Sequence, residues 1–334
     1  MAQRAALDPE REYARLPFVV GPKLVPGPAR TPYGRRNHEV LAGSAMTPRT
    51  LANPTILLFD SGLGGLSVYR EVARARPDAR YVYAADDAFF PYGRHYEAAL
   101  IARLVPLMGK LIAEYRPELV VIACNTASTL VLTHLRAAYS VPFVGTVPAI
   151  KPACASSKTR LVSVLGTEAT VAREYTRKLI RDFGHGCEIA LIGSARLASL
   201  AEAALRAEPV EDAAIAAGIG PCFIEHGDRR TDTIVLACTH YPLLLDRLER
   251  LAPWPVAWID PAPAIARRVV HLLGPVSGAA ARSARDRIVF TSQRPPSQAL
   301  AKALAHFGLR ADEVALGEPD QHALRQASID TRFL

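Results

Sequence analysis

Residues 119–150 read LVVIACNTASTLVLTHLRAAYSVPFVGTVPAI, and residues 233–265 read TIVLACTHYPLLLDRLERLAPWPVAWIDPAPAI. Each stretch begins with a short apolar run and continues through Ala-Cys and two polar residues into a helical pattern. Each then ends in a second apolar run and a turn that contains Pro-Ala. An internal repeat of this kind indicates two structural units of like topology. We therefore expect two α/β halves, each placing one cysteine, Cys124 or Cys238, at the end of an equivalent strand.

Further short apolar runs lack alternation and therefore predict strands that are buried on both faces. The predicted strands are Ile56–Phe59, Leu119–Ala123, Leu161–Leu165, Ile189–Ile192 and Thr233–Ala237. Helical patterns lie between them, at Tyr96–Tyr115, which Pro106 should bend, and at Thr170–Phe183, which Gly184 should end. This alternation predicts an α/β fold of two pseudo-symmetric, doubly wound (flavodoxin-like) domains, with mostly parallel sheets that face each other across a cleft.

The chain divides into four predicted segments. Residues 1–53 are rich in Pro, Arg and Gly, which predicts a poorly ordered N-terminal extension. The next two segments are domain A (54–147 plus 259–275) and domain B (148–258), which is inserted in domain A. The last is a C-terminal appendage (276–334). It should contain a strand at Arg287–Thr291 and a helix at Gln298–Phe307.

Composition limits the possible partners of the chain. Of its 334 residues, 50% are hydrophobic and 22% are charged, which is typical of a globular protein with a sizeable core. The formal charge is +8, but the arginines are scattered without interleaved aromatic residues, so we expect no nucleic-acid partner. No run of about 18 apolar residues and no signal peptide is evident, so we expect no membrane association and a cytoplasmic location.

Five cysteines are present, and their spacing does not predict a metal site. None forms a C-x-x-C pair or has a histidine at zinc-finger spacing. Cys124 and Cys238 differ from the others because each leaves a buried strand where a helix should begin. The helix dipole and free backbone N–H groups there should lower the pKa of a thiol below its free value of about 8.5.

Two cysteines in symmetric contexts predict a particular reaction type. Racemisation removes a proton from one face of a carbon and returns a proton to the other face. It therefore needs two acid–base groups across the substrate, one deprotonated and one protonated. A cysteine hydrolase would instead use one cysteine with a histidine and an orienting group.

The chain resembles the glutamate racemases of the aspartate/glutamate racemase family over about residues 54–275. The motifs that carry the resemblance are Asp60-Ser-Gly-Leu-Gly-Gly65, Pro91-Tyr-Gly93, Ala123-Cys-Asn-Thr-Ala-Ser128, Gly166-Thr-Glu-Ala-Thr-Val171 and Cys238-Thr-His-Tyr-Pro-Leu-Leu244. Aspartate racemases share the two-cysteine plan, but their second motif differs. The resemblance implies interconversion of L-glutamate and D-glutamate without a cofactor, including pyridoxal phosphate, in support of peptidoglycan synthesis.

The resemblance also implies roles for individual residues. Cys124 takes the α-proton from D-glutamate, with Asp60 nearby, and Cys238 takes it from L-glutamate, with His240 and Glu202 nearby. The implied substrate contacts are Ser61, Pro91, Tyr92, Gly93, Asn125, Thr126, Thr167, Thr170 and Thr239. The glycines of the turn after Asp60 allow close backbone approach, and their spacing does not fit a dinucleotide fingerprint.

The chain departs from the family in three places. Asp260-Pro-Ala-Pro263 stands where Asp-Ser-Gly is common, which stiffens a turn that bears on domain closure. Ala237 precedes Cys238 where glycine is frequent, and Asp86-Asp-Ala88 replaces Asp-Thr-Ala. Two alternatives stay open: a racemase of the same family for aspartate, a hydantoin or another amino acid, and a non-catalytic binding protein. We expect a homodimer.

Overall fold

The computed structural model describes residues 23–26, 53–276 and 286–311. Within these ranges the strands are β1 (Lys23–Pro26), β2 (Thr55–Asp60), β3 (Arg80–Ala85), β4 (Leu119–Ile122), β5 (Phe143–Gly145), β6 (Leu161–Gly166), β7 (Glu188–Gly193), β8 (Glu225–His226), β9 (Arg229–Arg230), β10 (Thr233–Ala237), β11 (Ala257–Ile259), β12 (Arg287–Phe290) and β13 (Arg310–Ala311).

The helices in the same ranges are α1 (Leu66–Ala75), α2 (Glu97–Tyr115), α3 (Asn125–Leu130), α4 (Leu132–Ala138), α5 (Ile150–Ser156), α6 (Glu168–Ala172), α7 (Glu174–Phe183), α8 (Leu197–Leu205), α9 (Asp212–Ile219), α10 (Leu245–Leu251), α11 (Ala262–Leu273) and α12 (Gln298–Phe307). Short 3-10 helices lie at Asp87–Phe89, Tyr92–Arg94, Gly220–Cys222 and Tyr241–Leu244. None of these helices has both the length and the apolar character that crossing a bilayer requires.

The first sheet has the strand order β13-β12-β3-β2-β4-β5, and every neighbouring pair in it is parallel. Both of its faces are buried. On β2, Leu57 and Phe59 pack in one apolar cluster with Leu104 of α2, whereas Leu58 packs in another with Val269 of α11. This double burial explains the continuous apolar runs in the strand sequences. We refer to this sheet and its helices as the A half.

The second sheet has the order β1-β7-β6-β10-β11 and is parallel except for β1, which runs antiparallel to β7. Its central strands are also buried on both faces, with Val164 and Leu165 of β6 in different apolar clusters. We refer to this sheet and its helices as the B half. A separate antiparallel pair, β8 with β9, lies between α9 and β10 in the chain.

The internal repeat is a repeat of topology. The order β3-β2-β4-β5 in the A half corresponds to β7-β6-β10-β11 in the B half. In both halves, the first strand of the unit lies between the second and the third, so the chain reverses direction across the sheet at that point. Open α/β sheets bind ligands outside the carboxyl ends of the strands at such a point. The predicted α/β class with mostly parallel sheets is confirmed.

The predicted helix Thr170–Phe183 is wrong as a single element. The structure has α6 and α7 instead, separated by Arg173, whose backbone is extended at φ −71° and ψ 140°. The Thr176 hydroxyl donates to the Thr170 carbonyl oxygen across this break, at 2.7 Å. Hydrophobic periodicity does not register a side-chain hydrogen bond of this kind. The other predicted long helix continues through Pro106 as α2.

The described part of the segment after residue 275 belongs to the first sheet. β12 pairs with β3 in parallel, and β13 pairs with β12. The predicted strand and helix of this segment are present, as β12 and α12. The segment is therefore built into the A half, because its strand supplies hydrogen bonds to the edge of β3 that sequence patterns cannot assign.

The predicted N-terminal extension, residues 1–53, lies outside the described residues except for β1 and Asn53. β1 adds an antiparallel edge strand to the B half through pairs such as Val25 with Ile189. The turn at Asp260-Pro-Ala-Pro263 leads into α11, and the Asp260 carboxylate accepts a hydrogen bond from the Ala262 N–H, at 2.9 Å.

Candidate active site

A pocket lies between the carboxyl ends of the strands of the two halves. Cys124, which follows β4, and Cys238, which follows β10, both line it, and each is only 6% exposed. The remaining lining residues are Ser61, Phe90, Pro91, Tyr92, Gly93, Asn125, Thr126, Thr167, Ala198, Ala237, Thr239 and His240. The pocket is therefore shared by the halves and largely closed to water.

Most of the residues predicted from the sequence line this pocket, and the other three lie in contact with its walls. Asp60 accepts a hydrogen bond from the Thr239 hydroxyl, at 3.2 Å. Glu202 contacts His240, and Thr170 lies within hydrogen-bond distance of the Thr126 hydroxyl, at 3.4 Å. The structure thus brings all the predicted residues to one place.

Cys124 occupies the N-cap position of α3, as the strand-to-helix pattern predicts. Its Sγ accepts a hydrogen bond from the Ala127 N–H, at 3.5 Å. Cys238 has a different local structure, because Thr239 and His240 separate it from the 3-10 helix that begins at Tyr241. The two cysteines are therefore equivalent in sheet topology but not in helix capping.

The predicted lowering of the thiol pKa is wrong for Cys124. Burial, and next the negative charge of Asp60, raise the pKa of the Cys124 thiol to about 12. The hydrogen bond from Ala127 acts in the opposite direction but is outweighed. Burial also raises the pKa of Asp60. Desolvation penalises the charged form of a thiol more than one short helix stabilises it. Cys124 is therefore a neutral thiol at pH 7.

Cys238 lies beside a histidine and carboxylate pair. Its Sγ is 3.7 Å from Nδ1 of His240, and Nε2 of His240 is 2.9 Å from Oε1 of Glu202. Glu202 also pairs with Arg206, the residue that follows α8, at 2.7 Å. His240 and Glu202 are both buried, at 2% exposure.

This arrangement favours a charged imidazolium next to Cys238. Burial alone would lower the pKa of His240, but the bonds to Cys238 and Glu202 outweigh it and raise that pKa well above its usual value. Burial alone would raise the pKa of Glu202, but the hydrogen bond with His240 and the charges around it lower that pKa. A protonated His240 places a positive charge beside Sγ of Cys238, 3.7 Å from Nδ1 of the ring.

The glycine-rich turn after Asp60 lies directly against this pair. The Leu63 N–H donates to Oε1 of Glu202, at 2.6 Å. A Cβ atom at Gly62 would lie 2.3 Å from Oε1 of Glu202, and one at Gly64 would lie 2.3 Å from Nδ1 of His240. Both distances are too short for a side chain, so the predicted close backbone approach at this turn occurs between the two halves.

Polar side chains from both halves form another part of the pocket wall. The hydroxyls of Thr126, from the A half, and of Thr167 and Thr170, from the B half, lie 2.9–3.4 Å apart. Both polar atoms of the buried Asn125 amide lack a hydrogen-bond partner among the described residues. Buried polar atoms are ordinarily hydrogen-bonded, so this amide is available to a bound polar molecule.

Sequence reasoning missed four contributors, one of which is Ala237, the lining residue just before Cys238. Phe90 lines the pocket, and its ring centroid is 5.4 Å from that of His240. Ala198 lines it from α8. Arg206 supports Glu202, and its position four residues later, at the end of a helix, is the one signal that could have indicated it. An apolar side chain in a predicted loop or helix gives no comparable signal.

The site can move protons at one carbon from two sides. A neutral thiol, Cys124, comes from one half, and Cys238 with its imidazolium neighbour comes from the other. Hydroxyl, amide and backbone N–H groups surround them and can bind a small polar anion.

Comparison with known proteins agrees with this geometry. A profile of the family described as Asp/Glu/Hydantoin racemase matches residues 57–269. A glutamate racemase of Brucella ovis is 54% identical over 271 residues, which cover 80% of this chain and 98% of that protein.

Solved structures show the same likeness. One is Escherichia coli glutamate racemase, in complex with L-glutamate and the activator UDP-MurNAc-Ala. It is 38% identical to this chain, with a TM-score of 0.71, and the match covers 79% of this chain and 99% of the E. coli chain. Glutamate racemase from Thermus thermophilus, in complex with β-chloro-D-alanine, is 28% identical with a TM-score of 0.61, covering 79% and 98%.

The fold and the shared pocket are those of an amino-acid racemase, an isomerase that acts at a single chiral carbon. The chain belongs to the Asp/Glu/Hydantoin racemase family.

Proposed function

We propose that this chain is a glutamate racemase that interconverts L-glutamate and D-glutamate by proton transfer between two cysteines. The observation that carries the proposal is that Cys124 and Cys238, from equivalent strands of two like halves, line one closed pocket. The 54% identity with the Brucella ovis glutamate racemase supports glutamate as the substrate. The bounds of domain A (54–147 with 259–275) and domain B (148–258) stay predictions, and we propose that the A half and the B half hold the substrate between them.

The proposed reaction of L-glutamate starts at Cys238. Its thiolate, paired with the His240 imidazolium, takes the Cα proton and becomes a thiol. The Cys124 thiol then gives its proton to the opposite face of the carbanion and becomes a thiolate. D-glutamate leaves, and the reverse reaction runs the same steps from Cys124. Each turnover moves one proton from substrate to sulfur and one from sulfur to product, so charge balances. Cys238 then loses a proton to solvent and Cys124 gains one from solvent, which restores the starting form for the next L-glutamate.

The pocket walls support the carbanion. The Cα proton of an amino acid is only feebly acidic, so catalysis needs fixed donors at the carboxylate where charge develops. We assign this role to Asn125, Thr126, Thr167 and Ser61, whose polar groups line the pocket. Closure around the substrate excludes water, which strengthens these interactions. Asp60 and Thr239 join the halves at the same edge.

D-glutamate made by this reaction supplies peptidoglycan synthesis. A cytoplasmic location stays a prediction, and the five free cysteines suit a reducing compartment. A homodimer also stays a prediction, which sedimentation of the purified chain measures directly.

Circular dichroism with L-glutamate and with L-aspartate tests the proposal. We expect the signal of L-glutamate to decay to zero and that of L-aspartate to persist. Cys124→Ala and Cys238→Ala should each lower turnover about 10³-fold, the scale of losing a positioned acid or base. Cys222→Ala, at a buried cysteine outside the pocket, is the matched control and should retain activity. If the signal of L-aspartate decays and that of L-glutamate persists, the chain is an aspartate racemase. If neither signal decays, the chain is a binding protein.

A further inference from the structure

Asp86 carries a buried carboxyl group that the proposed reaction does not use. It follows β3, and its side chain is 0% exposed. Its Oδ1 accepts hydrogen bonds from Nη2 of Arg103 and from the Thr291 hydroxyl, both at 2.6 Å. Its Oδ2 accepts from the Tyr92 hydroxyl at 2.6 Å and from Nε of Arg103 at 3.2 Å. A buried carboxylate is stable only with such a complete set of donors.

This network reaches the substrate pocket through Tyr92. Tyr92 lines the pocket with its neighbours Pro91 and Gly93, and it is 2% exposed. Burial, and next the charge of Asp86, raise the pKa of the Tyr92 phenol well above its usual value, so it stays a donor to Asp86. The backbone N–H of Asp86 donates to the carbonyl oxygen of Asp60, at 2.9 Å. Asp86 therefore connects Tyr92, through its carboxylate, with the end of β2, through its backbone.

Thr291 comes from a distant part of the chain. It follows β12, beyond residues 57–269 where the family profile matches. Its backbone N–H donates to the Ala85 carbonyl oxygen at 3.0 Å, which fixes it at the end of β3. Its hydroxyl accepts from the Ala88 N–H at 3.3 Å while donating to Asp86. The segment that the sequence predicts to be an appendage thus places a hydroxyl behind the pocket wall.

We propose that Asp86 and Thr291 are positioning residues that hold the Tyr92 phenol, and with it the Pro91–Gly93 wall, in the geometry that binds glutamate. The inference rests on the proposed function, because its readout is glutamate racemisation. We expect the wall to contact the substrate alike before and during proton transfer, and the hydrogen bonds of Cys124 and Cys238 go to Ala127 and His240, outside this network. Its loss therefore weakens binding in both directions, which raises KM and leaves kcat nearly unchanged.

Two substitutions at Thr291 distinguish the effect of its hydroxyl group from the effect of the size and shape of its side chain. Thr291→Val keeps the shape and deletes the donor, and we expect KM for L-glutamate and for D-glutamate to rise about tenfold, the scale of one hydrogen bond to a charged group. Thr291→Ser keeps the hydroxyl and should have the KM of the unchanged protein. Ser292→Ala, which removes a neighbouring hydroxyl bonded to Asp87 instead, is the control. An unchanged KM in Thr291→Val would overturn the proposal.

A double-mutant cycle excludes a merely structural role. Tyr92→Phe should raise KM about as much as Thr291→Val, and the two together should cost little more than either alone, because they break the same chain of hydrogen bonds. Fully additive effects would overturn the proposal. If Thr291→Val does not fold, Tyr92→Phe alone must still raise KM, and an unchanged value overturns the inference. If the unchanged protein does not racemise glutamate at all, that result would instead overturn the proposed function.

Discussion

His240 and Glu202 form one buried charged unit, with Nε2 of the imidazole 2.9 Å from Oε1 of the carboxylate. The other ring nitrogen of His240 faces Cys238. The same carboxylate oxygen also receives the Leu63 N–H from the other half of the molecule. The pair therefore sets the charge beside one cysteine and also joins the two halves of the site.

The pH dependence of stability should report this pair. The pKa of His240 is raised in the folded protein, so its contribution is fully present below its ordinary value of 6.5 and is lost as pH rises through the folded value. The pKa of Glu202 is lowered, so its contribution is fully present above 4.5 and is lost as pH falls through the folded value. The pair therefore stabilises most between pH 4.5 and 6.5.

Urea unfolding of Glu202→Gln measures this effect. We expect the variant to lose about 3 kcal/mol of unfolding free energy at pH 5.5, the scale of breaking a buried ion pair, and less at pH 9. Glu208→Gln, at an exposed position in the same half, is the control and should show no such trend. A loss for Glu202→Gln that grows with pH would contradict the assigned charges.

The two active-site thiols should differ in reactivity. The pKa of Cys124 is raised to about 12, so only a small fraction is thiolate at pH 7, whereas Sγ of Cys238 lies 3.7 Å from Nδ1 of His240, whose raised pKa favours a positive charge there. Only the thiolate is alkylated. We therefore expect iodoacetamide to label Cys238 before Cys124 at pH 7, as read by peptide mass spectrometry.

The rate of labelling at Cys124 should also rise about tenfold per pH unit between pH 7 and 9, because its thiolate fraction does. Glutamate should protect both cysteines, and the fully buried Cys222 should stay unlabelled throughout as an internal reference. Faster labelling of Cys124 than of Cys238 at pH 7 would refute the assigned charge states.

The glycine-rich turn should tolerate no side chain at Gly64. A Cβ atom there would lie 2.3 Å from Nδ1 of His240, so Gly64→Ala must displace either the imidazole or the turn. We expect kcat to fall about 10²-fold, the cost of misplacing a catalytic group by about 1 Å. Gly220→Ala, whose Cβ would meet nothing within 4 Å, is the matched control. Normal turnover in Gly64→Ala would show that the two halves do not close as described.

The parts of the structure predicted from sequence are those that local pattern determines. The buried strands follow from short apolar runs, and the equivalent positions of Cys124 and Cys238 follow from an internal repeat in the amino-acid sequence. The split between α6 and α7 at Arg173 was not predictable, because a side-chain hydrogen bond between Thr176 and Thr170 accompanies it.

The electrostatics of the site depended on tertiary packing. The strand-to-helix position of Cys124 predicts a lowered pKa, but the depth of burial and the charge of Asp60 reverse the direction. The contact between Asp86 and Thr291 joins residues 205 positions apart, which no local pattern encodes. Such contacts become visible only when the edge pairing of β12 with β3 is known.

Racemisation in deuterium oxide tests the central claim most directly. At low conversion of L-glutamate, two opposed cysteines predict that the D-glutamate formed carries deuterium at Cα, because its hydrogen comes from a solvent-exchanged Cys124 thiol, while the remaining L-glutamate keeps protium. Mass spectrometry after separation of the enantiomers reads both pools. Equal deuterium in recovered L-glutamate and D-glutamate, or protium retained in the product, would mean that a single group serves both faces and would contradict the account.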